Sequence, residues 1–291
     1  MKRCWRGLAT VPAWRAQLCE YIAVSEDEDS APTLRRGLPL RAIAPNAITA
    51  LAMCFGLTGI RYAISATGVN PGPSDWERAI GAIIIAGLLD GIDGRVARLL
   101  KGQTRFGAEL DSLSDNVAFG VSPALILYLW SLQQFPRFGW ICALALAIAC
   151  ALRLARFNAQ IDTEEQPHKS AGFLTGVPAP AGAGLAFLPL YLWIVTENEW
   201  FRQPMVVAPW AAFVAILMIS NVATFTWASI RLRKNLRLDV ILLAALVGTT
   251  LFSDPWITLI GIAVLYLLSI PFSIRSYAKF KRPKGVTAVP Q

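Results

Sequence analysis

Four aspartates stand at spacings that let them act together. Asp90 and Asp93 are three residues apart, and Asp111 and Asp115 are four apart. Residues at i, i+3 and i, i+4 share one face of a helix, so each pair presents two carboxylates on one side. Both pairs border long apolar runs, where an acid at mid-membrane costs roughly 2.5–3.5 kcal/mol, and neighbouring acids also repel one another. Divalent cations resolve that conflict. An all-oxygen ligand set without His or Cys favours magnesium, manganese or calcium over zinc. Two such ions about 3.5–4 Å apart form the clamp used for displacement at phosphorus. The surroundings suit a nucleotide diphosphate. Gly91, Gly94 and Ala97 remove bulk from the acidic face, Gly107 does the same opposite, and Arg98 is placed to meet a phosphate or a pyrimidine edge.

The elements that must position these groups are membrane helices. The 291-residue chain is 55% hydrophobic and only 16% charged, against about 25% charged in an ordinary soluble domain. That deficit argues against a soluble enzyme, a disordered regulator or a nucleic-acid binder. Eight apolar stretches run near 46–66, 77–99, 112–132, 138–157, 178–196, 208–229, 238–253 and 256–275. They predict an all-α polytopic membrane protein with about eight transmembrane helices. Pro123, Pro180 and Pro189 fall inside them, which is tolerated where neighbours satisfy the backbone. Asp90 and Asp93 close the second stretch, and Asp111 and Asp115 open the third. A turn near 99–106 lets the two helices run antiparallel and brings all four carboxylates together.

Basic residues fix the orientation. With the N-terminus inside, twenty-three of the 27 Lys and Arg lie on the cytoplasmic side, and only Arg61, Arg78, Arg137 and Arg202 lie outside. Such a bias places both termini and the acids on the cytoplasmic face. The net charge of +8 therefore belongs to membrane topology, with no nucleic-acid partner implied. The five cysteines show no metal-ligand spacing and read as small buried hydrophobes. Trp76, Trp130, Trp200 and Trp256 sit near helix ends, as interfacial anchors do. Gly87 suits close helix packing, Gly91 is open between packing and site, and His168 is a loop residue without a partner.

Other readings of the acids make different demands. A structural cluster would pair them with Arg95, Arg98 and Arg105. An ion or proton transporter would place acids near mid-membrane within an inverted repeat.

Asp90, Asp93, Gly94, Ala97, Arg98, Gly107, Asp111 and Asp115 match D-x-x-D-G-x-x-A-R, eight residues, G, three residues, D, three residues, D. By this signature the chain resembles the CDP-alcohol phosphatidyltransferases, over about residues 38–280. It is most similar to the phosphatidylserine synthase branch, through Asp111–Asp115 with Phe119–Ala124, Arg153–Asn158, Gly172–Pro180 and the Pro39–Thr49 entry into the first helix. Ala118 departs from that branch, which often has a polar residue there.

The resemblance implies a six-helix catalytic core, commonly homodimeric, with two added helices. It implies magnesium- or manganese-dependent transfer of a phosphatidyl group from CDP-diacylglycerol to L-serine, releasing CMP. Choline, glycerol 3-phosphate or an inositol phosphate are the acceptors used elsewhere in the family. Carried onto this chain, two divalent ions would be held by Asp90, Asp93, Asp111 and Asp115. The CDP group would meet Asp90, Asp93, Gly94, Ala97, Arg98, Gly107 and Asp111. Asp115 would be the catalytic base, and Arg153, Arg156 and Asn158 would meet the lipid phosphate or serine.

The expected organisation is a flexible cytoplasmic arm over 1–33, an interfacial amphipathic helix over 34–45 and a catalytic core over 46–230. Two additional helices over 231–277 and a basic cytoplasmic tail over 278–291 complete it. The arm lacks the apolar core of a signal peptide and is expected to stay attached. A bacterial inner membrane is the expected location.

Overall fold

The computed structural model describes residues 40–68, 74–100, 102, 104–135, 137–161, 173–220, 223–225 and 237–281. The arm, the interfacial segment before Leu40, His168, the basic residues Arg231–Lys234 and the tail beyond Lys281 lie outside the described residues. The chain divides at Leu40, and the second unit, Arg41–Gln291, carries the membrane core.

Helix α1 (Leu40–Ala66) runs unbroken through Pro45, and α2 (Asp75–Leu99) returns beside it. Then come α3 (Arg105–Asp115), a π-helical turn (Asn116–Val121) and α4 (Ser122–Trp130), which together make one continuous passage. Helix α5 (Phe138–Ile161) follows, then strand β1 (Phe173–Thr175), α6 (Ala179–Ala186), α7 (Leu188–Thr196) and α8 (Pro204–Ile219). Strand β2 (Ala223–Phe225), α9 (Arg237–Ser253) and α10 (Pro255–Lys281) complete the described chain. Among the described residues, five passages are long and apolar enough to cross a membrane: Ile43–Ala66, Arg105–Trp130, Phe138–Ala159, Ala179–Thr196 and Pro255–Ser273. Helix α2 has 25 residues but carries charge at both ends, while α8 and α9 have 16 and 17 residues. The protein is thus an all-α polytopic membrane protein with one short two-stranded ribbon.

Proline chemistry explains the irregular passages. A proline lacks the N–H that its i−4 carbonyl would accept, and its ring crowds that carbonyl. Pro123 therefore follows the π turn, in which the Ser122 N–H reaches back to the Val117 carbonyl and the wider coil relieves the crowding. Pro189 breaks the fifth expected stretch into α6 and α7 around Phe187. The Leu185 carbonyl that Pro189 cannot serve accepts instead from the Trp210 indole N–H of α8, at 2.8 Å.

Small residues bring the helices close, as they do where lipid removes the hydrophobic drive for association. A Cβ at Gly56 would stand 2.8 Å from the Ala118 Cα, and one at Gly120 would stand 2.8 Å from the Cys150 Cβ. The π turn is therefore clasped between α1 and α5. Ala118 is 1% exposed in that contact, so the position that departs from the resembling branch is here a packing site.

Three expectations are corrected. The sixth stretch does not stay helical to 229: α8 ends at Ile219, and Ala223–Phe225 pair antiparallel with Phe173–Thr175. Ser220, Asn221 and the β-branched Val222 and Thr224 favour leaving the helix. Gly176 turns tightly at φ 76 against the carbonyls of Met218 and Ser220. Trp130 is no interfacial anchor: it is fully buried and meets Trp193 edge-on with centroids 5.9 Å apart. Among the cysteines described, Cys150 is buried, but Cys54 is exposed on α1.

Candidate metal and nucleotide site

The acidic site is built where α2 ends and α3 begins. Helix α2 closes with the Leu100 N–H on the Val96 carbonyl (2.9 Å) and the Gly102 N–H on the Ala97 carbonyl (3.0 Å). Thr104 is extended, and its hydroxyl accepts from the Gly107 N–H at 3.0 Å. That N-cap starts α3 at Arg105, seven residues before the apolar stretch begins, so the polar turn carrying Asp111 is helical. Periodicity then stacks Asp111 over Asp115 and Asp90 beside Asp93.

Asp90, Asp93 and Asp111 bring one ligand oxygen each within 4.8 Å of one another. Asp115 is not one of that trio, though it lies close enough to Asp90, Asp111 and Asp93 to feel their charges. Asp93 is 4% exposed. No ion pair joins the four acids to Arg95, Arg98 or Arg105 among the described residues, which removes the structural-cluster reading. Carboxylate oxygens this close, without arginine partners, suit a hard divalent cation. Asp90, Asp93 and Asp111 are the residues able to hold one.

Beside the acids lies a cleft of about 260 Å³. Of the residues expected to meet the nucleotide, Asp93, Gly94, Ala97, Gly107 and Asp111 line it, and Asp90 does not. A Cβ at Gly94 would meet nothing within 4 Å, so the backbone there is open to a ligand. Gly107 faces Asn46, whose Oδ1 would lie 2.8 Å from an added Cβ. Arg98 does not line the cleft. Its Nε donates to the Gly94 carbonyl at 2.9 Å, folding the guanidinium back along α2.

The third wall comes from α1. Pro45, Asn46 and Thr49 line the cleft with Thr104 and Ala108. The signal available was the family-like run Pro39–Thr49 and the placement of hydroxyl and amide side chains where an apolar helix begins.

Arg153, Arg156 and Asn158 of α5 separate. Arg153 is partly buried within reach of the charge of Asp115, and its Nε has no hydrogen-bond partner among the described residues. Arg156 is exposed. The Asn158 amide donates to the Ser112 hydroxyl at 2.9 Å, tying α5 to α3.

A second, apolar cleft of about 240 Å³ lies between α2, the π turn and helices α6, α7 and α10, lined among others by Gly87, Phe119, Tyr191, Leu259 and Tyr266. Gly87 precedes Asp90 by one helical turn and Phe119 follows Asp115 by about one, so this cleft lies deeper along both acid-bearing elements. A Cβ at Gly87 would meet the Phe119 ring at 3.5 Å, in keeping with its packing role. Gly91 faces open space.

Comparison with known proteins gives an independent view. The family model for CDP-alcohol phosphatidyltransferase matches residues 42–227, and the model for CDP-alcohol phosphatidyltransferase 2 matches residues 235–271. A protein of Mycobacterium tuberculosis named CDP-diacylglycerol–serine O-phosphatidyltransferase is 36% identical over 245 residues, covering 84% of this chain and 82% of the relative. Proteins of the same name from Mycobacterium leprae and Helicobacter pylori are 34% and 32% identical. The alignments cover 85% and 77% of this chain, and 79% and 87% of those relatives.

Proposed function

We propose that this chain, which belongs to the CDP-alcohol phosphatidyltransferase family, transfers the phosphatidyl group of CDP-diacylglycerol to the hydroxyl of L-serine and releases CMP. The observation that carries this reading is the meeting of Asp90, Asp93 and Asp111 from two helices, with a cleft holding Asn46, Thr49, Asp93 and Asp111 on one side and an apolar cleft further along the same helices. That arrangement suits a ligand with a nucleotide head, a diphosphate and acyl chains. The relatives' names supply the acceptor.

Asp90, Asp93 and Asp111 would hold magnesium or manganese, as one or two ions, which when bound neutralises the diphosphate and the charge gained in the transition state. Gly94 admits the nucleotide against bare backbone, with Ala97, Gly107 and Asn46 lining the same cleft. Asp115, outside the metal trio, would take the proton from the serine hydroxyl, a poor nucleophile without a base in reach. The serine oxygen forms its bond to the lipid-linked phosphorus, and the bond from that phosphorus to the bridging oxygen breaks. CMP leaves with the electron pair. Arg153, which feels the charge of Asp115 and whose Nε has no partner among the described residues, would meet the serine carboxylate or the lipid phosphate. We assign the eight helical passages to eight membrane crossings with both termini and the site on the cytoplasmic face of a bacterial inner membrane, as the basic-residue bias requires. A homodimer follows from family likeness alone.

The test is direct. Purified protein in mixed micelles with manganese and labelled CDP-diacylglycerol is offered L-serine, choline, glycerol 3-phosphate or inositol phosphate. Phosphatidylserine and stoichiometric CMP are expected from serine only. Product from another alcohol would reassign the acceptor, and no manganese-dependent CMP release with any of them would refute the transferase reading.

A further inference from the structure

Thr49 is an uncharged residue of α1, 44 residues from Asp93 in sequence, yet its hydroxyl makes one of the shortest side-chain contacts in the protein. Thr49 Oγ1 lies 2.7 Å from Asp93 Oδ2 and 3.1 Å from the Pro45 carbonyl. A hydroxyl has one proton to give. The shorter contact is to a carboxylate, and charge-assisted bonds are both shorter and stronger, so the proton goes to Asp93. Both partners are buried: Thr49 is 5% exposed and Asp93 4%. The main chain of the same residue is held from the other side, because the Ser114 hydroxyl donates to the Thr49 carbonyl at 3.0 Å. Ser114 is itself 2% exposed and sits next to Asp115. One residue of α1 thereby touches the acid-bearing parts of both α2 and α3.

From this geometry we propose that Thr49 is a positioning residue for the metal site: it holds Oδ2 of Asp93, fixes how that carboxylate is presented to Asp90 and Asp111, and ties the α2–α3 pair to α1. The inference rests on the metal reading above and adds to it a residue outside the acidic signature. The physical reason is general. A carboxylate that binds metal has two oxygens and a freely turning terminal torsion, and a partner on one oxygen fixes which lone pairs face the ion. Losing such an outer partner typically weakens metal affinity about 10- to 100-fold. The link is also selective in kind: valine keeps the shape of threonine and loses only the donor, whereas serine keeps the donor and loses only a methyl group.

The experiment uses the full chain in detergent with CDP present and follows free manganese by its electron paramagnetic resonance signal. Thr49→Val is expected to raise the manganese dissociation constant about 10-fold or more, and Thr49→Ser to stay within about threefold of the parent protein. In turnover assays Thr49→Val should shift the half-activating manganese concentration by the same factor and leave the KM for the alcohol unchanged. A general loss of fold would move both variants and both constants together. Equal manganese affinity in Thr49→Val and the parent overturns this proposal while leaving the metal site standing. A parent protein that binds no manganese overturns both, and transfer to a different alcohol touches only the acceptor assignment.

Discussion

Asp115→Asn is expected to abolish transfer while leaving CDP-diacylglycerol bound. Asparagine keeps the size of the side chain and places a neutral amide beside Asp90. What disappears is the capacity to accept a proton from the attacking hydroxyl. General-base catalysis contributes roughly 10²- to 10⁴-fold, so CMP release should fall by about a thousandfold. The trio of Asp90, Asp93 and Asp111 is untouched, so affinity for the nucleotide lipid should change by no more than about threefold, well under one charge-assisted contact. Product formation in mixed micelles and competition by CDP measure the two quantities separately. Turnover close to the parent rate would remove Asp115 from the role of base. A matching loss of nucleotide affinity would instead make it a fourth metal ligand.

Asp111→Asn should have an effect as large through a different route. Asp111 is the only acid that α3 contributes to the trio, the other two coming from α2. It also lines the nucleotide cleft. Replacing it leaves the trio with two ligands from one helix, so a divalent ion would lose its ligand from α3. Metal charge contributes several kcal/mol to a phosphoryl-type transition state, so turnover at saturating substrate should drop by at least about a thousandfold. Here the nucleotide should be lost with the metal, because the ion is what neutralises its diphosphate. Added manganese should restore part of the activity in Asp111→Asn and none in Asp115→Asn. Titrating manganese in CMP-release assays of both variants checks this contrast. Identical responses would mean that the two acids do one job.

Much of the site is legible in the sequence because it is local. Asp90 with Asp93, and Asp111 with Asp115, follow from helical periodicity and need only a turn between them. Gly94, Ala97 and Gly107 follow from the requirement that a ligand approach the backbone. Arg98 misleads because a long side chain has a nearer partner, the Gly94 carbonyl one turn back. Thr49 and Asn46 escape notice because nothing local ties them to the acids: the link from Thr49 to Asp93 spans 44 residues, and which face of α1 meets α2 is decided by packing. The close approach of Gly56 to Ala118 is part of that packing.

The helices divide in the same way. Apolar length predicts that α1, α5 and α10 exist, and the prolines mark where passages will be irregular. Hydropathy cannot say what form the irregularity takes. Pro123 produces a wide turn because α1 and α5 clasp it, whereas Pro189 produces a break because Trp210 is present to take up the Leu185 carbonyl. Trp130 reads as an anchor by position, yet it is enclosed by Trp193 and its neighbours. The ribbon of β1 and β2 joins segments about fifty residues apart, beyond the reach of any periodic pattern.

The central claim is that α2 and α3 pool their acids around a divalent cation that grips a nucleotide-activated lipid. Crystals of the full chain grown with manganese and CDP-diacylglycerol, measured at the manganese absorption edge, test it most directly. The account predicts anomalous density among Asp90, Asp93 and Asp111, with the diphosphate in contact with it and the nucleotide in the cleft beside Gly94 and Gly107. Nucleotide bound elsewhere, with the three carboxylates turned apart and no anomalous density between them, would contradict it.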